Sequence, residues 1–227
     1  MPRALANELM DDPALEPVRL GHALDGLSRL NRFSGAFPRI YRELCARLPR
    51  PARVLDLACA RGDFVLWAAA RAAKDRDGLT FDGCDFNEKS IRFATDRALA
   101  SGAPSRFFVR DVLGDDLPPG YDAITASLFF HHLTDDQAQA LLLAMSRAAP
   151  LILVNDLERS AFNTAAITIG SRILTRSPIV HTDARLSAKA AFTRGEMMEI
   201  ARRAGLHGST IKFGGISRMM LLWSKSG

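Results

Sequence analysis

The sequence has only three cysteines in 227 residues, and Cys45, Cys59 and Cys84 stand far apart. An odd number at such spacing suits neither a disulfide framework nor a metal cluster, so no metal site and a reducing, cytoplasmic setting are expected. There is no run of 18 apolar residues, which excludes a membrane-spanning helix. The opening segment, MPRALANELMDDPALEP, carries early acids and no apolar core, so no secretory signal is expected. Internal repeats, low-complexity tracts and a second core are also missing.

What is present is a chain that is 48% hydrophobic and carries a net charge of +5, unevenly placed. Residues 1–53 hold nine basic and six acidic side chains, residues 54–156 ten and fifteen, and residues 157–227 eleven and four. The basic excess lies in the flanks. Solvated arginine-rich helices account for it, and attraction of an anionic substrate or acidic carrier is the sharper alternative.

Periodicity predicts an N-terminal helical lid over residues 1–50, where Leu24, Leu27, Leu30 and Phe33 recur at helical spacing, as do Ile40, Leu44 and Leu48. A break is expected near Ser34-Gly35 and Pro38, and Pro49 and Pro51 mark the boundary to a domain over 51–227. From there strands and helices alternate. Strands are expected at Arg53–Leu57, Leu79–Cys84, Arg106–Arg110, Tyr121–Ala126 and Leu151–Asn155. Helices are expected at Asp63–Ala73, Glu88–Ala100, Thr134–Ala148 and Arg194–Ala204, with 158–192 irregular or helical. Two last strands, Thr210–Phe213 and Arg218–Trp223, flank Gly214-Gly215, a hairpin-turn signal. Repeated strand–helix units imply an α/β fold whose parallel sheet is covered on both faces. The lid and this domain are expected to form one structural unit.

Ligands of such sheets bind beyond the carboxyl ends of the strands. The first strand runs into VLDLACARGDF, where a glycine-rich turn would sit but only Gly62 remains, with Ala58 and Ala60 in place of the others. An alanine forced into left-handed geometry costs roughly 1–2 kcal/mol. Paid on binding, that is about tenfold in affinity. Asp63 is read as the cap of the following helix. After the second strand, Asp85 can accept from ribose hydroxyls; it lies 23 residues past Gly62, close to the ~20 of dinucleotide-binding units. After the third, Asp111 can accept from an exocyclic amine or close its own loop. The fourth strand leads into SLFFHHL, with His131 and His132 adjacent, so that only one is expected to enter a site. The fifth leads into VNDLERS, placing polar groups beyond the sheet edge, and then to a lid-length segment containing His181-Thr-Asp183.

In this order, VLDLACARGDF, GCDFN, RDV, YDAITASLFFHHLTDD and LILVNDLERS resemble class I S-adenosylmethionine-dependent methyltransferases over residues 50–225. The resemblance implies a Rossmann-like, seven-stranded, mostly parallel sheet of order 3-2-1-4-5-7-6 with helices on both faces. It implies S-adenosyl-L-methionine as cofactor. Asp85, with Phe86, would hold the ribose, and Asp111, with Val112, the adenine amine. Asp56 and the turn Ala58, Ala60 and Gly62 would lie beneath the methionine part, with Ser127 and Leu128 beside it. HHL looks like ubiquinone- and menaquinone-type enzymes. NDLERS, followed by HTDARLSAKAAFTRGEM, looks like small bacterial enzymes that methylate polyketide or quinone-like hydroxyls.

The expected chemistry is in-line methyl transfer to the hydroxyl of a small aromatic, quinone-like or polyketide acceptor, aromatic or anionic. Full proton transfer from a phenol of pKa ~10 to a histidine of ~6.5 is uphill by roughly 5 kcal/mol. A base must therefore act as the methyl moves, with His132 first in order, then His131 or His181. Three rivals are weighed. A nicotinamide dehydrogenase lacks its Gly-x-Gly-x-x-Gly, and an amine-methylating nucleic-acid enzyme lacks its Asn/Asp-Pro-Pro-Tyr/Phe run, so nucleic acid is not expected as a partner. Two alternatives remain: a catalytically silent, methyltransferase-like binding subunit, and a nucleic-acid methyltransferase, which the basic flanks would suit.

Overall fold

Seven strands run in the order β3-β2-β1-β4-β5-β7-β6. They are β1 (Ala52–Leu57), β2 (Leu79–Asp85), β3 (Phe107–Val109), β4 (Ala123–Ser127), β5 (Leu151–Leu157), β6 (Thr210–Gly215) and β7 (Arg218–Ser224). The computed structural model describes residues 3–5, 9–11 and 16–225. β1 to β5 pair in parallel, and β7 runs antiparallel to both β5 and β6.

The strands read as near-continuous apolar runs because both faces are covered. Val54, Leu151, Leu153, Met220 and Leu222 face a core shared with α2 (Ala36–Arg47), α3 (Asp63–Asp75) and α4 (Glu88–Ser101). The alternate residues Leu55, Leu57, Ile152, Val154 and Leu221 face α5 (Asp135–Ala148) and α8 (Arg194–Arg203). Period-two alternation along each strand thus assigns each helix to its layer. Capping boxes open the two helices of the second layer, Thr134 with Gln137 and Thr193 with Glu196.

Above the carboxyl ends sit α1 (Pro17–Phe33), α6 (Ala161–Leu174) and α7 (Pro178–Ala190), with a small core of Ala23, Ile179 and Val180. Residues 158–192 are therefore mostly two helices, opened by the caps Ser160 and Ser177. Among the described residues no helix is long and apolar enough to cross a membrane.

Three expectations are corrected. The break in the N-terminal helices falls at Ser34-Gly35 alone. Pro38 lies in the first turn of α2, where its missing N–H costs nothing. Gly214-Gly215 is not the hairpin turn, which falls at Ile216-Ser217, with Ser217 at φ 57°. The glycines end β6 at a register shift for lack of room. A Cβ at Gly214 would lie 2.6 Å from the Met219 carbonyl oxygen, and one at Gly215 would lie 2.7 Å from that of Ser34. Finally, Asn155 and Asp156 do not lie beyond the sheet, because β5 continues through them to Leu157 and buries both.

Candidate active site

The turn after β1 keeps the geometry that glycines would give it. Ala58 and Ala60 both adopt positive φ, 51° and 46°, and Gly62 lies at 71°. A Cβ on Gly62 would meet the Phe107 ring at 2.7 Å, so both conformation and space require glycine there. The alanine strain is carried by the folded chain before any ligand arrives. In this conformation the strain is a cost to stability. Gly62, not Asp63, is the N-cap of α3. Asp63 is its first residue, and its carboxylate pairs with Arg97 at 2.6 Å, an acid placed where the helix dipole favours one.

Asp85 ties the turn to the end of β2. One carboxylate oxygen accepts from the Ala60 N–H and the other from the Asn87 N–H, each at 2.9 Å. Asn87 in turn caps α4 by accepting from Lys89 and Ser90. Burial raises the pKa of Asp85. Each carboxylate oxygen retains a second lone pair for a hydroxyl donor. Phe86 beside it is 72% exposed, an apolar ring left facing solvent at a strand end. Asp56 lies buried under the turn, accepting from the Thr125 hydroxyl at 2.6 Å. Burial, with a contribution from Asp85, pushes its pKa up to about 7, against the Thr125 bond. Two buried carboxyls at one turn make a setting that a cation relieves.

Asp111 is exposed, and its Oδ1 accepts from the Leu113 N–H at 3.0 Å while its own N–H donates to Asp115. The loop therefore closes on itself, with Val112 buried against the core. Asp111 Oδ2 accepts nothing among the described residues and points past Gly114, where a Cβ would lie 3.0 Å from it. Ser127 ends β4, and Leu128 follows at φ 56°, its N–H donating to the Asn155 carbonyl.

Leu128 also lines a cavity of about 290 Å³ enclosed by α1, α6, α7 and the β6–β7 hairpin. Its walls are mainly apolar, from Leu27, Leu128, Ile167, Leu174 and Val180, with His131, His132, Asp183 and Arg218 among the polar groups. The hairpin is fastened to the α1–α2 junction by the Ile216 N–H, which donates to the Ser34 carbonyl. The N-terminal segment fastens the other side. Leu9 and Met10 N–H groups donate to Asp183, and Arg3 donates to the Ala190, His131 and Leu133 carbonyls.

The three histidines part company. His131 is 4% exposed, and its Nδ1 lies 2.7 Å from Asp156 Oδ1, with its backbone N–H on Oδ2. Burial pushes the Asp156 pKa up, but the charge and hydrogen bonds of His131 and the Leu157 N–H outweigh it, leaving the carboxyl below its ordinary value. His132 is exposed, its ring centroid 4.2 Å from that of His131. His181, on α7, has Nε2 2.9 Å from the Thr175 carbonyl and does not line the cavity. Sequence reasoning missed the roles of Asp156, Ser217 and Arg218. The only signal was the polar pair Asn155-Asp156 at the end of a strand.

Comparison with known proteins agrees with this arrangement. Residues 54–149 match a family model described as a methyltransferase domain. A demethylmenaquinone methyltransferase from Thermus thermophilus is 35% identical over 86 residues, which span 37% of this chain and 37% of that protein. The plantazolicin methyltransferase BpumL, solved with SAH, superposes with a TM-score of 0.71 at 15% identity over 95% of this chain and 92% of its own. An O-methyltransferase family 2 protein from Planctomyces limnophilus, solved with apigenin, gives 0.64 at 17% identity over 95% and 63%. At such identities the superpositions establish the fold, while the family model locates the sequence likeness at residues 54–149. Residues 54–149 are thus similar in sequence to a methyltransferase domain, and the chain as a whole shares its fold with solved methyltransferases.

Proposed function

We propose that the protein binds S-adenosylmethionine across the ends of β1, β2 and β3 and transfers its methyl group to an oxygen of a small, flat, largely apolar acceptor held in the 290 Å³ cavity. The observation that carries this is the position of Leu128, which belongs both to the strand-end row of the cofactor side and to the cavity wall. The residues present fit the cofactor: a buried acid at the end of β2, an exposed ring beside it, an acid oxygen without a partner after β3, and a left-handed turn over two carboxyls.

The bound cofactor supplies a methyl group already activated on a sulfonium. What the chain must do is hold the acceptor in line, exclude water and take a proton. His131 is the residue placed for the proton. Asp156 accepts from Nδ1, which leaves Nε2 as the basic nitrogen and stabilises the ring once it is charged. The bond to Asp156 supports His131 over His132, the first choice from sequence, whose exposure suits it better to the cavity mouth. One structural neighbour, an O-methyltransferase family 2 protein, is solved with apigenin, a flat hydroxylated molecule, which supports the acceptor class.

Calorimetric titration with SAH, alongside transfer of labelled methyl from S-adenosylmethionine to a panel of naphthols, tests the reading. Wild-type protein binds SAH and labels a naphthol. Asp85→Ala weakens SAH binding by about 10- to 100-fold, the size expected for losing charge-assisted hydrogen bonds. No SAH binding by the wild type refutes the reading.

A further inference from the structure

Two arginines of the cleft region are almost wholly buried, and they are treated differently. Arg159, 6% exposed, meets the carboxylate of Glu196 with Nη2. Arg218, 4% exposed, has no carboxylate at ion-pair distance among the described residues. Its Nη2 donates to the amide oxygen of Asn31 at 2.8 Å, and its Nη1 reaches that of Asn155 only at 3.5 Å. Three of its five N–H donors make no hydrogen bond among the described residues. Buried guanidinium groups are ordinarily paired, because an uncompensated charge away from water is costly. Desolvation accordingly pulls the Arg218 pKa down to about 10, against the pull of Asp156.

The carboxylate that lines the cavity, Asp183, and the buried Asp156 near it are already engaged. Asp156 accepts from the His131 ring and from the His131 and Leu157 N–H groups. Asp183 accepts from the Leu9 and Met10 N–H groups. Beside Arg218, the Ser217 hydroxyl is buried and has no hydrogen-bond partner, and its residue holds the left-handed turn at φ 57°. Arg218, Ser217 and Asn31 all line the same cavity. An under-compensated cation and a hydroxyl without a partner among the described residues thus stand side by side in the wall of a mainly apolar space.

We propose that Arg218 and Ser217 form an oxyanion-binding end of the acceptor cavity, and that the acceptor is an aromatic molecule carrying a carboxylate. The proposal rests on the methyltransferase reading above and narrows its substrate class. The guanidinium fork matches a carboxylate in two parallel bonds, and the hydroxyl adds a third donor. The apolar walls accept the ring, so the carboxylate fixes which end of the acceptor is turned from the cofactor.

The test is calorimetry on SAH-saturated protein with two probes of one shape, 2-naphthoate and 2-naphthamide. Wild type is expected to bind the carboxylate about 10- to 100-fold more tightly than the amide, the range for charge-assisted hydrogen bonds. Arg218→Met removes that preference and leaves SAH affinity at the wild-type value. Ser217→Ala, which keeps the guanidinium and guards against a folding defect in the first variant, lowers the preference severalfold. Wild-type protein that does not prefer 2-naphthoate, whether it binds both probes or neither, overturns the proposal. So does a preference that survives in both variants. Normal SAH binding with no carboxylate preference refutes this inference alone, whereas absent SAH binding refutes the methyltransferase reading and this inference with it.

Discussion

The cofactor side and the acceptor side of the cleft are built on opposite plans. On the cofactor side, polar side chains close onto backbone within a few residues or across one strand pair: Asp85 onto Ala60 and Asn87, Asn87 onto the start of α4, Asp111 onto its own loop. On the acceptor side, the cavity draws on residues from Met10 to Arg218, and its polar groups are joined across the whole chain, as with Arg218 and Asn31 or Asp183 and Leu9. The first plan makes a shape that exists before the ligand does. The second makes a container whose chemistry depends on packing three helices and a hairpin over the sheet. Substitutions on the first side should therefore act on affinity and stability, and those on the second on turnover and choice of substrate.

The sharpest break between the two sides is expected at His131. His131→Ala should lower turnover by about 10²- to 10⁴-fold, the usual contribution of a positioned base, while SAH affinity stays within a factor of two or so. Loss of SAH binding in that variant would mean that the two sides are not separable.

Next in size is a pH effect from the cofactor side. Asp56 has its folded pKa raised from 3.8 to about 7. Below the unfolded value it is protonated in both states, and its contribution is fully present. As pH rises toward 7 the unfolded chain loses the proton first, so folded stability falls. Asp56→Asn keeps an acceptor for the Thr125 hydroxyl and cannot ionise. Denaturant titrations should show the wild type losing up to ~4 kcal/mol relative to this variant between about pH 4 and 7. Parallel curves for the two proteins would show that the Asp56 carboxyl is not perturbed.

The smallest effect is expected at Ala60. Because its left-handed backbone is already present, Ala60→Gly should relieve about 1 kcal/mol of strain after the entropy of the unfolded glycine is counted, and raise the melting temperature by roughly 2–4 °C. SAH affinity should not change. A tenfold gain in affinity would show instead that the strain is imposed on binding.

The sheet was legible in the sequence because each strand carries its own apolar run and the helices between them their own periodicity, and these are local signals. So was the row of acids at the strand ends, because Asp85 closes β2 and Asp111 stands two residues past β3. Asp63 was misassigned because a residue at the helix start and one just before it differ by a single position, and only the φ of Gly62 separates them. Gly214-Gly215 resembled a turn although the requirement there is room for Met219 and Ser34, contacts set by distant parts of the chain. Asp156 and Arg218 were hard to read, since a buried aspartate in β5 and a buried arginine in β7 acquire partners such as His131 and Asn31 only when distant segments pack together. The choice among three histidines needed the same information.

The central claim is that one chain presents cofactor and acceptor to each other at Leu128, with His131 beside the acceptor. A crystal structure with SAH and 2-naphthoate tests it most directly. The account predicts the ribose hydroxyls on Asp85, the sulfur facing the cavity mouth next to Leu128, and the naphthalene ring inside with its carboxylate on Arg218. SAH bound away from the Ala58–Gly62 turn, or a naphthoate seated outside the cavity, would contradict it.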